Sequence, residues 1–323
     1  MNARAGRAFV IVLAALAGGA AAADWPHFLG PQYNNTSSET GLRHTWPKEG
    51  PRKLWEAPKG TGHSTPAVSG GKVVVFSADG ENEVVEALNA ANGERLWRVS
   101  YPASSTAKYG GASGPCSNPT IAGGRVFTLG ISSILRCLDL VTGKDVWRRD
   151  LAADYELLPT FFGQGGTPLV LGDRVIVSLG TRDQKSIVAF DAATGKELWA
   201  AKHAWGSSYS SPIAATLHGR ECVLAYQGGM SDPPTGGLLV IDAKTGAVLS
   251  ATPHRAKMFA SASISAPVVA GSRVFVTEAY TEGGLCVEVA PDFSAKPAWL
   301  APKLDTYIVT AVLHDGALYG FAG

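Results

Sequence analysis

The stretch VAFDAATGKELW, residues 188–199, decides the fold, because the chain repeats it with variations. Two close copies, EALNAANGERLW and RCLDLVTGKDVW, end at Trp97 and Trp147. A fourth copy, LVIDAKTGAVL, ends at Leu249 and lacks the Trp, and a fifth, LCVEVAPDFSAKPAW, keeps Trp299 and lacks the Gly. Each copy is an apolar strand, a tight turn and a second strand. Repetition at roughly 50 residues with strands inside each unit predicts an all-β protein, a β-propeller of four-stranded blades.

Upstream of each copy, the chain supplies the two remaining strands of a blade. A Ser/Thr-x-Pro-type opening marks the first strand, and a strongly apolar, β-branched run marks the second. Pro cannot donate to a strand ladder, so it fits the innermost strand, which is an edge strand facing the channel. The five openings are STPAV (64–68), SNPTI (117–121), GTPLV (166–170), SSPIA (210–214) and SAPVV (265–269).

The recurring Trp and Gly are predicted to be structural. A large flat side chain on the outermost strand can cover the seam with the next blade, and a turn Gly supplies a positive φ. A stacking role for one Trp in ligand binding is the alternative, but recurrence in nearly every blade favours docking. The predicted docking residues are Trp55, Trp97, Trp147, Trp199, Trp299, Gly93, Gly143, Gly195 and Gly246.

Three segments are predicted along the chain. Residues 1–23 have basic Arg4 and Arg7, a short apolar core and an Ala-rich cleavage site, as in a secretory signal peptide. Residues 24–54 are an extended segment, and residues 55–323 form the propeller domain. Because five full units and two partial ones do not close a ring, we expect a C-terminally truncated part of a protein with seven or eight blades. The mature chain is expected in the periplasm or outside the cell.

Composition excludes some partners. The chain has 28 basic and 27 acidic side chains without a basic block, so nucleic acid is a poor candidate. No later stretch is long and apolar enough to span a membrane. The four cysteines are far apart; an exported protein permits disulfides, but Cys137 and Cys286 occupy a small, buried strand position of the repeat.

A ligand is expected on the face that carries the variable loops, namely those from strand two to three and from blade to blade. Side chains just before each inner strand should form a polar collar at the channel mouth. Either they bond their neighbours' backbone and channel water, or they bind a polar small molecule or an extended peptide. These candidates are His63, Ser64, Ser117, Asn118, Gln164, Tyr209, Ser210, Ser263, Ser265 and Tyr307.

Signals for catalysis and metal binding are thin. There is no HExxH, no Asp-rich calcium loop and no paired His spacing, so neither a catalytic residue nor a metal ligand is assigned. Asp79, Glu81 and Glu83 cluster in the stretch 77–83, which we interpret as a loop with solvated carboxylates.

The repeat DAATGKELW resembles the tryptophan-docking repeat of the pyrroloquinoline quinone (PQQ) propeller family. Residues 25–57 resemble the N-terminal opening of its secreted bacterial members. The family contains PQQ-dependent alcohol dehydrogenases and non-enzymatic propellers that help assemble outer-membrane proteins. In the dehydrogenases, the resemblance implies PQQ between a Trp and a disulfide of adjacent cysteines, with a calcium ion. This chain has no adjacent cysteine pair, and Leu29 stands where an Arg is usual, which predicts a weaker N-terminal contact.

The sequence therefore favours an exported, non-catalytic binding or scaffold propeller, whose partner is a protein, a peptide or a polysaccharide. The alternative is a PQQ-dependent alcohol or sugar dehydrogenase, with PQQ and calcium as cofactors. Fold alone does not decide between them.

Overall fold

The computed structural model describes residues 23–103, 114–259 and 261–321. The predicted signal peptide lies almost entirely outside these residues. Five antiparallel sheets have four strands each, and a sixth has two. We call the four-stranded sheets blades 1 to 5. In each of them the strands lie in chain order, as consecutive hairpins require. This architecture confirms the predicted all-β propeller.

The strand bounds follow the repeat. Blade 1 has β1 (Ala67–Ser69), β2 (Lys72–Asp79), β3 (Asn82–Asn89) and β4 (Arg95–Pro102). Blade 2 has β5 (Thr120–Ala122), β6 (Arg125–Leu129), β7 (Ile134–Asp139) and β8 (Asp145–Asp150), followed by the short helix α1 (Leu151–Asp154). Blade 3 has β9 (Leu169–Leu171), β10 (Arg174–Ser178), β11 (Lys185–Asp191) and β12 (Glu197–Lys202). Blade 4 has β13 (Ile213–Leu217), β14 (Arg220–Gln227), β15 (Gly237–Asp242) and β16 (Val248–Pro253). Blade 5 has β17 (Val268–Ala270), β18 (Arg273–Glu278), β19 (Gly283–Val289) and β20 (Ala295–Ala301), and the last sheet has β21 (Val312–His314) and β22 (Ala317–Tyr319).

One predicted loop is wrong. Most of residues 77–83 belongs to β2 and β3, which pair up to Asp79 and Asn82 and leave a two-residue turn at Gly80-Glu81. A two-residue hairpin keeps both strands in register to their ends. Glu83 is consequently a strand residue.

The core lies between blades, because the middle strands bury both of their faces. Apolar clusters join blade 1 to blade 2, blade 2 to blade 3, blade 3 to blade 4 and blade 4 to blade 5. The outer strands alternate instead, with β8 half-buried on one side and exposed on the other. Stacked repeats of this kind bury a continuous core that no single blade could form.

Trp side chains of the repeat meet turn glycines of the following unit at four places. A Cβ added to the glycine would lie 2.6–2.8 Å from the Trp ring in each case, so no larger residue fits. In three of them the indole N–H also donates to a backbone carbonyl of the same turn, at 2.9–3.0 Å. Three of the Trp side chains lie one blade before their Gly and so join neighbouring blades at the rim, and Trp55 joins the segment before blade 1 to that blade. The pairs are Trp55 with Gly93, Trp97 with Gly143, Trp147 with Gly195, and Trp199 with Gly246.

The seam between blades 4 and 5 uses a different pair of residues. Ser250 lies opposite Val240, the position at which the other blades have their Trp. The next turn has Phe293 where the others have Gly, with φ of +65°. Phe293 is buried in the apolar cluster of this seam, and the Arg220 guanidinium lies 4.8 Å from its ring centre. At this seam the large side chain therefore lies in the turn and not on the strand. This explains why the fourth copy of the repeat lacks the Trp and the fifth copy lacks the Gly.

Trp299 has a different environment from the other docking residues. No turn glycine of the described residues contacts it, and it is 41% exposed. Its ring lies 5.6 Å from Phe275, beside a small cavity of about 150 Å³ that Leu313 and Leu318 also line.

The N-terminal segment crosses the inner strands at the hairpin face. Trp25 exchanges two 2.8 Å backbone hydrogen bonds with Val68, and the carbonyl of Pro26 accepts from Ile121 at 2.7 Å. Leu29 then packs into the core of blades 4 and 5, where it is 2% exposed. Apolar burial of Leu29 thus anchors the segment here, and a weaker contact than an Arg would give stays a prediction.

Gly143→Ala should destabilise the protein by about 2–4 kcal/mol, because the new methyl group meets the Trp97 ring and the φ of +70° is strained for Ala. The matched control is Gly123→Ala, which has a φ of +54° and open space around its Cβ, and should cost about 1 kcal/mol. Urea unfolding of both variants measures the difference. Equal losses would show that docking contributes nothing beyond the turn conformation.

Ser250→Trp and Phe293→Gly should compensate each other. The first alone overpacks the seam by about 1–3 kcal/mol, and the second alone leaves a cavity that costs about 3–5 kcal/mol. The double variant restores the Trp-on-Gly arrangement of the other seams and should lose less than the sum by at least about 1 kcal/mol. A double-mutant cycle in urea tests this; additive losses would contradict the exchange.

Candidate functional site

A chain of hydrogen bonds joins the blades just before their inner strands. In each link, a backbone N–H of one blade donates to a side-chain oxygen of the next, and we call this series the inter-blade belt. Its links are Thr65 to Asn118 (2.7 Å), Asn118 to Thr167 (3.1 Å), Thr167 to Ser211 (3.0 Å) and Ala266 to Thr310 (3.0 Å). Ala266 has no side-chain oxygen, and at that seam the backbone N–H of Ser210 donates to Ser263 at 2.9 Å instead.

The residues predicted for the collar are mostly buried and engaged within the protein. Ser64, Ser117, Asn118, Gln164, Ser210, Ser263 and Ser265 are all buried. Asn118 belongs to the belt, the hydroxyl of Ser117 donates to the carbonyl of Leu129, and that of Ser265 donates to Val309 at 3.4 Å. These bonds match the interpretation in which the collar satisfies its neighbours' backbone.

The other predicted residues differ. His63 is exposed, and its backbone N–H donates to Pro115 at 2.9 Å. The hydroxyl of Tyr307 lies 3.2 Å from that of Tyr280. Tyr209 is half-buried, and its hydroxyl accepts a 2.6 Å hydrogen bond from the backbone N–H of Phe162. Burial is the main cause that raises the pKa of Tyr209 to about 12, so the phenol is neutral at physiological pH.

Aromatic side chains from three linkers meet on the loop face. We define the aromatic patch as Phe161, Phe162, Tyr209 and Phe259. The Phe161 ring lies 5.7 Å from Phe259, and the Phe162 ring lies 6.0 Å from Tyr209. Phe162 is 44% exposed and Phe259 is 39% exposed. The patch therefore connects the linkers that follow blades 2, 3 and 4, and shows two aromatic rings to solvent.

Glycines let the first of these linkers pack closely. Gly163 has φ of +85°, and a Cβ there would lie 2.6 Å from the carbonyl oxygen of Ile131. A Cβ on Gly165 would lie 2.3 Å from the ring of Tyr209. The Phe-Phe-Gly-Gln-Gly run was thus the signal for the patch, and reasoning from the repeat alone missed it.

A buried ion pair holds the linker between blades 4 and 5. Arg255 Nη1 lies 3.2 Å from Glu278 Oε1, and both side chains are almost fully buried. Arg255 Nη2 also donates to the carbonyl of Gly229 at 3.1 Å, and the hydroxyl of Ser263 donates to Glu278 at 2.7 Å. Burial lowers the pKa of Arg255, although Glu278 opposes this effect. Breaking such a pair leaves an uncompensated charge, so the linker is fixed.

Glu83 is buried, contrary to the prediction of a solvated carboxylate. It is 1% exposed, and its Oε1 accepts a 2.8 Å hydrogen bond from the backbone N–H of Ile131 in blade 2. Its Oε2, the Tyr101 hydroxyl and the Thr128 hydroxyl have no hydrogen-bond partner within the described part of the chain. Burial raises the pKa of Glu83, while the bond from Ile131, the nearby Tyr101 hydroxyl and the charge of Arg136 act against it.

Glu83→Gln should stabilise the protein at pH 7, by about 1 kcal/mol, because an amide avoids the buried charge and can donate to the unpaired hydroxyls. A carboxyl whose folded pKa is raised binds more protons folded than unfolded, so its charge costs stability above the unfolded pKa. The advantage should therefore shrink as the pH falls towards 4.5, the ordinary value, and be almost absent below it.

Urea unfolding across pH measures this difference, and exposed Glu81→Gln is the control, with no pH-dependent gain expected. A Glu83→Gln protein less stable than the parent at pH 7 would show that Arg136 outweighs the burial of the charge.

The described residues do not fit the PQQ and calcium site that the resemblance implies. The two buried carboxylates already have partners in the protein, because Glu83 Oε1 accepts from Ile131 and Glu278 is bonded to Arg255 and Ser263. No group of three His, Cys, Asp or Glu side chains lies together in the described ranges, and residues 104–113 contain none of these types. The four cysteines are free and far apart, so no adjacent-cysteine disulfide exists to hold the quinone.

Comparison with known proteins places the chain in a family. A family model of the PQQ-repeat type, described as outer membrane protein assembly factor BamB, matches residues 32–113 and 81–320. The chain belongs to this family. Among solved structures, BamB from Moraxella catarrhalis has a TM-score of 0.52 at 18% identity, covering 80% of this chain and 66% of that one. Quinohemoprotein alcohol dehydrogenase from Comamonas testosteroni has a TM-score of 0.60 at 19% identity, covering 93% of this chain and 52% of that one.

Two sequence relatives are longer than this member of the PQQ-repeat family. A tetrathionate hydrolase from Acidithiobacillus ferrooxidans is 24% identical over 240 residues, which are 71% of this chain and 44% of the relative. The quinohemoprotein alcohol dehydrogenase ADH-IIG from Pseudomonas putida is 30% identical over 125 residues, 37% of this chain and 17% of the relative. This chain therefore spans less than half of either relative. Within its described residues, no helix has the length and apolar character needed to cross a membrane.

Proposed function

We propose that this chain is an exported, non-catalytic binding propeller that holds a partner protein on its loop face. The observation that carries the proposal is the aromatic patch, which exposes Phe162 and Phe259 with Met258 beside them. Contiguous exposed apolar side chains on an otherwise polar surface mark interaction sites. Aromatic anchors of this kind supply most of the energy in protein interfaces.

The backbone that carries the patch is bonded to the rest of the protein, which favours binding. Phe162 is held by the hydrogen bond to Tyr209, and the linker of Phe259 is held by the Arg255–Glu278 pair. Side chains that are already ordered lose little entropy when a partner docks. Exposed Lys257 adjoins Met258 and forms no ion pair among the described residues, so the partner surface should combine apolar and acidic side chains.

The family supports a protein partner, because its description names an assembly factor. The alternative, a PQQ-dependent alcohol or sugar dehydrogenase, rests on the likeness to two alcohol dehydrogenases. The side chains that could hold its cofactors, described above, argue against the dehydrogenase. PQQ and calcium would need a disulfide of adjacent cysteines and a cluster of metal ligands, and the described residues contain neither.

A photo-crosslinking experiment tests the proposed surface. A photoreactive phenylalanine analogue at position 162 or 259, in the full chain expressed in its source organism, should give one discrete protein adduct. The same analogue at Leu198, an exposed residue of an outer strand, should not. With that partner purified, Phe162→Ala together with Phe259→Ala should weaken binding at least about 30-fold, as loss of hot-spot residues does. Adducts at all three positions, or at none, would contradict the proposal.

A second measurement addresses the dehydrogenase. Titrating the full chain with PQQ and calcium should leave the Trp fluorescence without a saturable, calcium-dependent change. Saturable quenching, followed by alcohol-dependent reduction of an artificial electron acceptor, would replace the binding proposal with the enzymatic one.

A further inference from the structure

A cleft of about 710 Å³ opens on the loop face at the seam between blades 2 and 3. Residues 152–160 of the linker between blades 2 and 3 form one wall, and exposed Arg182 also lines the cleft. Ser133 comes from the loop between β6 and β7, and Gln164 comes from the later part of the same linker. This volume is within the range of small-ligand pockets. The cleft lies beside the aromatic patch, but none of the four patch residues lines it.

Gln164 contributes a neutral polar side chain to the wall of the cleft. It is 3% exposed and lines the cleft, and its backbone N–H donates to Ile131. No hydrogen bond within the described ranges involves its side-chain amide. A side-chain amide offers two donors and an acceptor to a molecule in the cleft. The amide is therefore placed to bond a molecule that occupies the cleft.

Ser133 supplies a second neutral polar group. Its backbone is fixed in a left-handed conformation, with φ of +69°, and its carbonyl accepts from Leu151 at 3.0 Å. This conformation is uncommon for Ser. The side chain is buried and lines the same cleft, and its hydroxyl forms no hydrogen bond within the described part of the chain.

The charges near the mouth are already paired. Asp154 accepts from Arg149 at 2.7 Å, and Glu156 lies 4.0 Å from Arg182. The walls between them include the apolar side chains of Leu157, Leu158 and Pro159. The cleft thus combines neutral hydrogen-bonding groups with apolar surface, which suits a neutral ligand better than an ionic one.

We infer that this cleft binds a neutral, hydroxyl-rich saccharide. A pyranose ring has hydroxyl edges for the Gln164 amide and the Ser133 hydroxyl, and apolar C–H faces for the leucine and proline wall. An extended peptide is less well served, because peptide capture by strand addition needs free backbone groups. Here the N–H groups of Leu157 and Leu158 already donate to Tyr155 and Gly180, at 3.0 and 2.9 Å.

The test is an NMR titration of the full chain with neutral tetrasaccharides of β-linked glucose, α-linked glucose or β-linked N-acetylglucosamine. At least one of them should shift the side-chain amide signal of Gln164 in a saturable way. Gln164→Ala and Ser133→Gly, which keeps the left-handed backbone, should each weaken that binding about five- to tenfold. Neither should lower the unfolding midpoint much, since no described hydrogen bond is lost.

Gln227→Ala is the matched control, because Gln227 is buried but its Oε1 accepts a structural hydrogen bond from Ser178 at 3.0 Å. It should lower stability and leave saccharide affinity unchanged. No saturable shift with any tetrasaccharide, or binding that survives Gln164→Ala, would overturn the inference. A Gln164-dependent shift with random hexapeptides alone would also overturn it. Phe162→Ala with Phe259→Ala should not alter saccharide binding, so the two proposals fail separately.

Discussion

The inter-blade belt is the constraint on which the rest of the structure depends. Each blade is a separate sheet, and no strand ladder joins one described blade to the next. The belt joins them near the axis through hydrogen bonds of 2.7–3.1 Å, and Trp-on-glycine docking joins them at the rim. Two attachments at different radii fix the angle between blades. The loops above can then differ in sequence, because the attachments that recur from blade to blade lie elsewhere.

Sequence reasoning was strongest where the repeat enforces a local rule. The strand order, the turn glycines and the inner Pro follow from backbone chemistry that acts within a few residues. It was weakest where residues distant in the chain meet. The burial of Glu83 depends on Ile131 in another blade, and the contact of Phe161 with Phe259 joins two linkers almost a hundred residues apart. Nothing in either local segment signals its partner.

The linker between blades 2 and 3 serves two surfaces at once. Its first half forms the wall of the saccharide cleft, and its second half carries Phe161 and Phe162 into the aromatic patch. Gly163 and Gly165 follow the two Phe residues and let the chain pass against Ile131 and Tyr209. A short, tightly packed piece of backbone therefore connects the cleft with the aromatic patch.

The N-terminal segment has a consequence for the order of folding. Trp25 finds Val68 soon after both have left the ribosome, but Leu29 packs with residues of blades 4 and 5, including Phe293. That pocket exists only after some 260 further residues have been made, a separation read from the numbering of Leu29 and Phe293. Contacts over such distances form late, because the loop must close before they stabilise anything. The first segment of the propeller to be synthesised is thus among the last to reach its final place, and it locks five blades together when it does.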